Sequence, residues 1–107
     1  MPNVNRGLWR SPDGTITPFD DPNAGTRTNQ GTMGYGIDPA GTIEGIYIDA
    51  SNVTHGFQFS GETFTTIDVP GASATLPSAI NPAGEIVGWY LDKNDKNNAA
   101  HGFLWTP

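Results

Sequence analysis

The sequence predicts an all-β protein of one domain in which a unit of four short strands occurs twice. Three observations support this prediction. Glycine and proline contribute 14 and 9 of the 107 residues, whereas Ala, Leu, Glu, Lys and Arg, which long helices need, are scarce. Charged residues are only 15% of the chain, and Thr, Asn, Ser and Gly replace them. Finally, the chain repeats segments of itself between turn signals. These features argue against a helical bundle, and the length excludes two domains.

Internal repetition is the most informative feature of the sequence. Residues 37–49 and residues 80–92 match at a constant offset of 43, and each contains Ile-Asx-Pro-Ala-Gly before an apolar segment. The tripeptide His-Gly-Phe occurs at 55–57 and at 101–103, an offset of 46, because three residues are added in the Asn-rich loop 92–98. The chain therefore contains two copies of one unit.

Turn residues divide each copy into four strands. Pro-Asp-Gly and Gly-Glu separate the first strand from the second, as in hairpins. Asp38-Pro39-Ala40-Gly41 and the matching residues 81–84 suit type I turns between the third and fourth strands, because Asx, Pro and Gly occupy the positions that this turn favours. The predicted strands lie near residues 6–10, 15–19, 33–37 and 42–48, then near 55–59, 63–69, 76–80 and 85–91, and finally at 101–106.

Four antiparallel strands in roughly 45 residues is the period of a β-propeller blade. We expect repeat one at about 6–54, repeat two at about 55–100 and a closing strand at 101–107, all in a single domain 1–107. Two blades cannot form a ring and would leave edge strands open to aggregation. We therefore expect closure by homo-oligomerisation, with a trimer of six blades favoured over a tetramer. The closing strand resembles residues 6–12, so we expect it to complete a blade of a neighbouring chain or to displace the equivalent segment there.

The charge balance argues against nucleic acid as a partner. Eleven acidic residues against five basic ones give a net charge of −6. No run of Lys or Arg occurs, and binding to a phosphate backbone needs clustered cations. No apolar stretch approaches the roughly 18 residues of a membrane span, so no membrane insertion is expected. The chain has no Cys, and its first residues lack the layout of a secretory signal, so no signal peptide is expected in it.

The second half of the chain resembles a known repeat family. Residues 55–107 carry His-Gly-Phe, Phe-Thr-Thr-Ile-Asp-Val-Pro-Gly-Ala, Ile-Asn-Pro-Ala-Gly-Glu-Ile-Val-Gly-Trp-Tyr and a second His-Gly-Phe in succession. In these motifs the chain resembles the HAF family of repeats, which occur in predicted extracellular bacterial proteins. Residues 6–49 share the pattern more loosely, because Arg6-Gly7-Leu8 stands in place of His-Gly-Phe. The resemblance implies tandem repeats and an extracellular or cell-surface location, and it brings no catalytic residues.

Two histidines and several aspartates are the candidates for chemistry. His55 and His101 occupy the same place in successive repeats, so in a ring they would line a channel and bind a metal or act as bases. The alternative, which we favour, is that each imidazole hydrogen-bonds a nearby Asp or a backbone carbonyl. Asp49 and Asp92 end the fourth strands and suit paired acid–base work or, beside the Asn-rich loop, Ca²⁺. Turn capping is the more common use of such residues.

Aromatic residues are numerous for so polar a chain. The set comprises Trp9, Tyr35, Tyr47, Trp89, Tyr90 and Trp105. Flat rings at the rim of an assembly would stack on sugar faces, with Asn and Asp nearby to bind hydroxyls. Packing between blades is the alternative and must hold for at least half of the rings. Because Tyr47 aligns with Tyr90 and Ile46 with Trp89, one position in each repeat should face inward and its neighbour outward.

These observations favour a non-catalytic, self-assembling binding module whose ligand is carbohydrate. The candidate binding residues are Tyr47, Trp89, Tyr90, His55, His101, Asp49 and Asp92. No cofactor or metal is expected, with Ca²⁺ left open as a ligand of the Asp-containing loops. Two alternatives remain. One is a hydrolase of the esterase, lactonase or phosphatase type that uses His and Asp in the central channel, and the other is a purely structural repeat fragment.

Overall fold

The computed structural model describes residues 3–97 and 99–107, and its regular structure consists of β-strands. The strands are β1 (Gly7–Arg10), β2 (Ile16–Phe19), β3 (Gly31–Ile37), β4 (Ile43–Ile48), β5 (Thr54–Ser60), β6 (Thr63–Ile67), β7 (Ala72–Ile80), β8 (Ile86–Asp92) and β9 (Ala100–Trp105). The all-β prediction is confirmed, and the largest difference from the predicted bounds is the earlier start of β7. Across the described ranges, no helix is long and apolar enough to cross a membrane.

Hydrogen bonds group the strands into three parts. β1 and β2 form an antiparallel pair, the N-terminal hairpin. β3, β4, β5 and β6 follow one another in an antiparallel meander, the middle sheet. β7, β8 and β9 form a second meander, the C-terminal sheet. Among the residues that the structure describes, a single parallel bridge between Thr54 and Ala74 joins these two sheets, and the sheets are not closed.

The grouping of strands differs from the prediction, which placed β1 to β4 in one blade and β5 to β8 in the next. In the structure β4 pairs with β5 and β8 pairs with β9, whereas within the described residues neither β2 and β3 nor β6 and β7 share a ladder. The connections explain the difference. The turn after β4 is short and is closed by a hydrogen bond of 3.0 Å from the Asp49 N–H to the Val53 carbonyl, so β4 and β5 form a hairpin. β2 and β3 are separated by the longer segment 20–30. The repetition in the sequence reveals the length of the repeated unit, but the hydrogen bonds decide which strands belong to one sheet.

The two Pro-Ala-Gly turns fold as predicted, and they fold alike. The N–H of Gly41 donates to the carbonyl of Asp38 at 3.0 Å, and the N–H of Gly84 donates to that of Asn81 at 2.9 Å. Both glycines have a positive φ, 89° and 82°, which L side chains rarely adopt. The same four-residue motif therefore produces the same turn in both sheets.

The middle sheet is covered on both faces. All residues from Ile43 to Tyr47 are buried, although successive side chains of a strand point to opposite faces. On one face, Phe19 of β2 packs against Phe57, Phe59 and Phe64, with ring centroids 5.4 to 6.3 Å apart. On the other face β7 crosses the sheet, and Pro77 lies so close to Gly56 that a Cβ there would clash. This sheet is the central layer of a stack of three.

The outer faces of the two end layers are open. On the N-terminal hairpin, Leu8 and Ile16 are 62% and 61% exposed. On the C-terminal sheet, Val87, Trp89 and Leu104 are 46%, 40% and 63% exposed. Val87 and Leu104 are directly opposite each other on β8 and β9, so these side chains form one apolar surface. The stack therefore has a covered middle and two uncovered ends.

Candidate functional site

Three side chains surround His55 at the start of β5. Its Nδ1 lies 2.9 Å from each carboxylate oxygen of Asp68, and its Nε2 lies 2.8 Å from Oδ2 of Asp49. The ring of Tyr47 stacks on the imidazole, with centroids 4.8 Å apart and planes 22° apart. These four residues are the His55 cluster, and they include three of the predicted binding residues besides Asp68.

Strand register brings the His55 cluster together. Tyr47 of β4 is directly opposite His55 of β5, so their side chains share one face. Asp49 follows β4, where its Oδ1 also accepts hydrogen bonds from two backbone N–H groups of its own turn. Asp68 comes directly after β6, the strand on the other side of β5. The cluster therefore ties together three neighbouring strands of the middle sheet.

The pKa shifts in the cluster favour an ion pair. Burial acts to lower the pKa of His55, but hydrogen bonds to Asp49 and Asp68 outweigh burial and raise it. Burial acts to raise the pKa of Asp49, but hydrogen bonds from His55 and from the turn lower it. Burial raises the pKa of Tyr47, whose hydroxyl lies 3.0 Å from Oγ1 of Thr66. With both nitrogens protonated, His55 donates to both carboxylates at once.

This geometry leaves neither nitrogen of His55 free. A general base or a metal ligand needs a nitrogen with an available lone pair, and both nitrogens here face carboxylates. Within residues 3–97 and 99–107, no group of three or more His, Cys, Asp or Glu side chains is arranged to hold a metal ion. The arrangement suits a cross-strand ion pair that holds three strands in register.

A smaller cluster surrounds His101 in the C-terminal sheet. Its Nε2 lies 3.3 Å from Oδ2 of Asp95, and its ring centroid lies 5.4 Å from that of Tyr90 at an angle of 33°. The carboxylate that approaches His101 is therefore Asp95 rather than Asp92, the sequence counterpart of Asp49. Asp92 instead caps its own turn by accepting a backbone N–H. Of the two aligned aspartates, Asp49 thus contacts a histidine, whereas the carboxylate that contacts His101 is Asp95.

The spacing to the histidine identifies Asp95 in the sequence. The alignment at an offset of 43 matched Asp49 with Asp92 and left Asp95 as a loop residue. Asp49 precedes His55 by six positions, and Asp95 precedes His101 by the same number. The three added residues lie before Asp95, so the spacing to the histidine is preserved. Matching each carboxylate to its histidine, rather than to the preceding strand, identifies the partner.

Arg6 and Asp20 form the version of this pair in the N-terminal hairpin. Nη2 of Arg6 lies 2.7 Å from Oδ2 of Asp20. Arg6 stands directly before the Gly of β1, as His55 stands before the Gly of β5, and Asp20 directly follows β2, as Asp68 follows β6. A cation paired with the Asp after the next strand is therefore a repeated feature of the fold.

The aromatic residues separate into buried and exposed groups. Tyr47 is 4% exposed and Tyr90 is half-buried, whereas Trp89 is 40% exposed. A depression of about 410 Å³ is lined by Tyr35, Leu76, Pro77, Ser78 and Trp89. Tyr35 and Ser78 lie at the register shifts of β3 and β7, and such bulges re-aim side chains. Of the three aromatic residues named as binding candidates, Tyr47, Trp89 and Tyr90, only Trp89 lines this depression, where Tyr35 accompanies it.

Glu44 is a buried carboxylate that the sequence did not single out. It lies on the face of β4 that β7 covers, and neither of its oxygens has a hydrogen-bond partner among the described residues. Burial raises its pKa to about 7. The aligned residue in the C-terminal sheet is Val87. A single Glu in an apolar strand is normally expected to face solvent, so local sequence offered no signal for its burial.

Comparison with known proteins assigns no family to this chain. It matches no protein-family model, no curated protein and no solved structure. The two histidine clusters, the depression and the open faces are therefore the basis for a functional proposal.

Proposed function

We propose that this chain is a non-catalytic binding module that becomes complete when several copies associate into a ring of propeller-like blades. The contrast between the covered middle sheet and the open ends carries this proposal. Leu8 and Ile16 of the hairpin align with Phe57 and Phe64 of the middle sheet. Leu8 is 62% exposed, whereas Phe57 is fully buried beneath β2. Open apolar faces of this kind mark interaction sites.

The other end of the stack lacks the complementary neighbour. Val87 and Trp89 of β8 align with Glu44 and Ile46 of β4, which β7 covers. A second copy can supply a missing layer at each end, because the hairpin lacks a layer on one side and the C-terminal sheet lacks one on the other. Such head-to-tail contacts close into a ring when the rotation between copies allows it. Three chains with six blades are the assembly that we favour, as expected from the sequence.

Carbohydrate is the ligand class that we propose for this module. The depression beside β7 supports it, because Tyr35 and Trp89 offer exposed rings for stacking and Ser78 offers a hydroxyl. Trp89 also belongs to the open face of the C-terminal sheet, so a neighbouring copy would add a wall to the depression. Each added copy would repeat the site and increase avidity. We extend the proposal to the extracellular or cell-surface location that the HAF resemblance implies.

The hydrolase alternative has less support from the same geometry. Catalysis by His55 would require release of one of two carboxylates that lie 2.8 and 2.9 Å from its nitrogens. His101 has one such partner, Asp95, at 3.3 Å. The geometry of both clusters favours ion pairing over general base catalysis.

Light scattering coupled to size exclusion tests the assembly. The full chain, of 11.4 kDa, is expected to elute with the mass of three chains. Leu8→Asp is expected to reduce the mass to one chain, because it places a charge on an open apolar face. Thr65→Asp is the matched control. Thr65 is also an exposed strand residue, but it lies on β6 of the middle sheet, away from the two open apolar faces. A wild-type chain that stays at 11.4 kDa at every concentration contradicts the proposal.

A glycan array tests the ligand class separately. Trp89→Ala is expected to abolish binding, whereas Trp105→Ala is expected to leave it unchanged. Trp105 is a half-buried ring of β9 that lies outside the depression. An array that gives no signal with an assembled wild-type protein would remove carbohydrate from the proposal and favour a purely structural role.

A further inference from the structure

We infer that β9 is a removable cap, which occupies along β8 the place that β1 of a second copy takes in the assembly. The inference rests on the proposed self-association and specifies how two copies join.

β1 and β9 are two versions of one strand. Residues 6–12 read Arg-Gly-Leu-Trp-Arg-Ser-Pro and align with His-Gly-Phe-Leu-Trp-Thr-Pro at 101–107. In the ladder with β8, Gly102 is opposite Trp89, and the hairpin carries Gly7 at the aligned position. Among the described strands β1 pairs with β2 alone, so its other edge is free for a new ladder. β1 is therefore able to pair with β8 as β9 does.

The middle sheet shows what the completed C-terminal sheet would contain. There β5 and β6 follow β4 as the third and fourth strands. The N-terminal hairpin is built like β5 and β6, since Gly7 is opposite Phe19 as Gly56 is opposite Ile67. Within residues 3–97 and 99–107, the C-terminal sheet has three strands and no equivalent of β6. Exchange of β9 for the hairpin of a second copy keeps the ladder of β8 and adds the fourth strand.

Charge complementarity between Arg6 and Asp95 favours the hairpin of a second copy at the edge of β8. Arg6 would replace His101 beside Asp95 and would bring its own partner, Asp20. The guanidinium would then lie between two carboxylates, as the ring of His55 does in the middle sheet. Arg is charged at every physiological pH and forms stronger charge-assisted hydrogen bonds than a neutral imidazole. The junction would therefore contain a cluster to which both copies contribute.

Exchange would also cover the open apolar side chains. Leu8 of the incoming hairpin would take the place of Phe103, in register with Gly88 and Pro77. Leu8 and Ile16 would then lie on the face of the C-terminal sheet that Pro77 turns towards Gly56. Val87 would be covered by β3 of the incoming copy, as the aligned Glu44 is covered by β7. The cap itself is an edge strand in which Leu104 is 63% exposed and Phe103 and Trp105 are half-buried, and Leu8 of the incoming hairpin would replace Phe103. Because one ladder replaces another, the added strand and the apolar burial favour the exchanged state.

A disulfide that locks the cap provides the first test, in a full-length chain that has no native Cys. Val87→Cys with Leu104→Cys joins directly opposite residues of β8 and β9. The oxidised form is expected to lose assembly and stay at the mass of one chain, while its reduced form associates like the wild type. A locked chain that associates as strongly as the reduced one overturns the inference and leaves self-association intact. A disulfide that fails to close contradicts the β8–β9 register and overturns the inference as well.

A second disulfide detects the exchanged state directly. Trp9 aligns with Leu104, so Val87→Cys with Trp9→Cys is expected to link separate chains under oxidising conditions, as seen on a non-reducing gel. Val87→Cys with Leu8→Cys is the matched control, because a shift of one residue turns the side chain to the other face, and the cross-link is expected to be lost. Equal cross-linking of both variants overturns the inference. A wild-type chain that never associates, together with two variants that never cross-link, overturns both the inference and the proposed function.

Discussion

The clusters around His55 and His101 contain the same tripeptide, yet only one of them is complete. His55 meets two carboxylates at 2.8 and 2.9 Å, whereas His101 meets one at 3.3 Å. The ring centroid of Tyr47 lies 4.8 Å from that of His55, whereas the ring centroid of Tyr90 lies 5.4 Å from that of His101. The difference comes from the neighbours. β6 supplies Asp68 beside β5, whereas no strand in the described part of the chain pairs with the other edge of β9. A repeat sequence therefore acquires its full set of contacts only inside the stack.

The largest difference between the two sheets is expected for their aligned phenylalanines. Phe57 is fully buried under Phe19, whereas Phe103 is half-buried in the end layer. Phe57→Ala is expected to lower the free energy of unfolding by about 4 kcal/mol, and Phe103→Ala by less than about half of that. Urea denaturation of the single chain, followed by circular dichroism, measures both. Equal losses would show that the end layer is as well packed as the middle.

Glu44 and Val87 form the second comparison, which depends on pH. Burial raises the pKa of Glu44 to about 7, so the folded state binds a proton more tightly than the unfolded state. The contribution of Glu44 to the free energy of unfolding is therefore most favourable below pH 4.5, the ordinary pKa. This contribution falls as pH rises towards about 7. Glu44→Gln is expected to match the wild type at pH 4.5 and to exceed it by about 3 kcal/mol at pH 8.

The control for Glu44 uses the exposed position that aligns with it. In a chain kept monomeric by Leu8→Asp, Val87→Glu places a carboxylate in solvent, so its stability relative to Val87→Gln in the same background is expected to be independent of pH between 4.5 and 8. Urea denaturation at both pH values measures the two pairs. A Glu44→Gln variant whose advantage does not grow with pH would show that the carboxylate finds a partner or water in solution.

The third comparison removes each histidine in turn. Because the pKa of His55 is raised, its ion pairs stabilise the fold below pH 6.5, the ordinary pKa, and this contribution is lost as pH rises through the higher folded-state value. His55→Gln is expected to lower the free energy of unfolding by about 2 kcal/mol at pH 5.5 and by less at pH 9. His101→Gln is expected to have the smaller effect at pH 5.5. A larger loss for His101→Gln in thermal or urea unfolding would reverse the ranking of the two clusters.

The smallest effect is expected where the two sheets are alike. Oγ1 of Thr32 accepts the N–H of Asp21 at 2.9 Å, and Oγ1 of Thr75 accepts the N–H of Val69 at 3.1 Å. Both threonines are buried, so Thr32→Val and Thr75→Val are each expected to lower the free energy of unfolding by about 1 kcal/mol. Serine at the same positions keeps the hydroxyl and is the control. Unequal losses of unfolding free energy from the two valine variants would show that β3 and β7 also differ in their contacts.

Much of the local structure was predictable because its causes are local. Alternating apolar residues and the turn residues around Pro39 and Gly41 identified the strands close to their observed bounds. The pairing of His55 with a nearby Asp, which we favoured from the sequence, agrees with the observed contacts to Asp49 and Asp68. Asp95, the carboxylate that contacts His101, was not among the named candidates, because the repeats were aligned on the strand that precedes the loop rather than on the spacing to the histidine.

The sequence by itself determined the all-β class, the approximate positions of the described strands, the repeated turns and the equivalence of the two His-Gly-Phe segments, since each depends on residues within a few positions of one another. Only the tertiary structure decided that β4 pairs with β5, that Glu44 is buried without a partner, and that Trp89 is open while Ile46 is covered. Those outcomes depend on which distant segment lies over each face of a sheet. Two nearly identical segments differ when one has a neighbouring layer and the other has none.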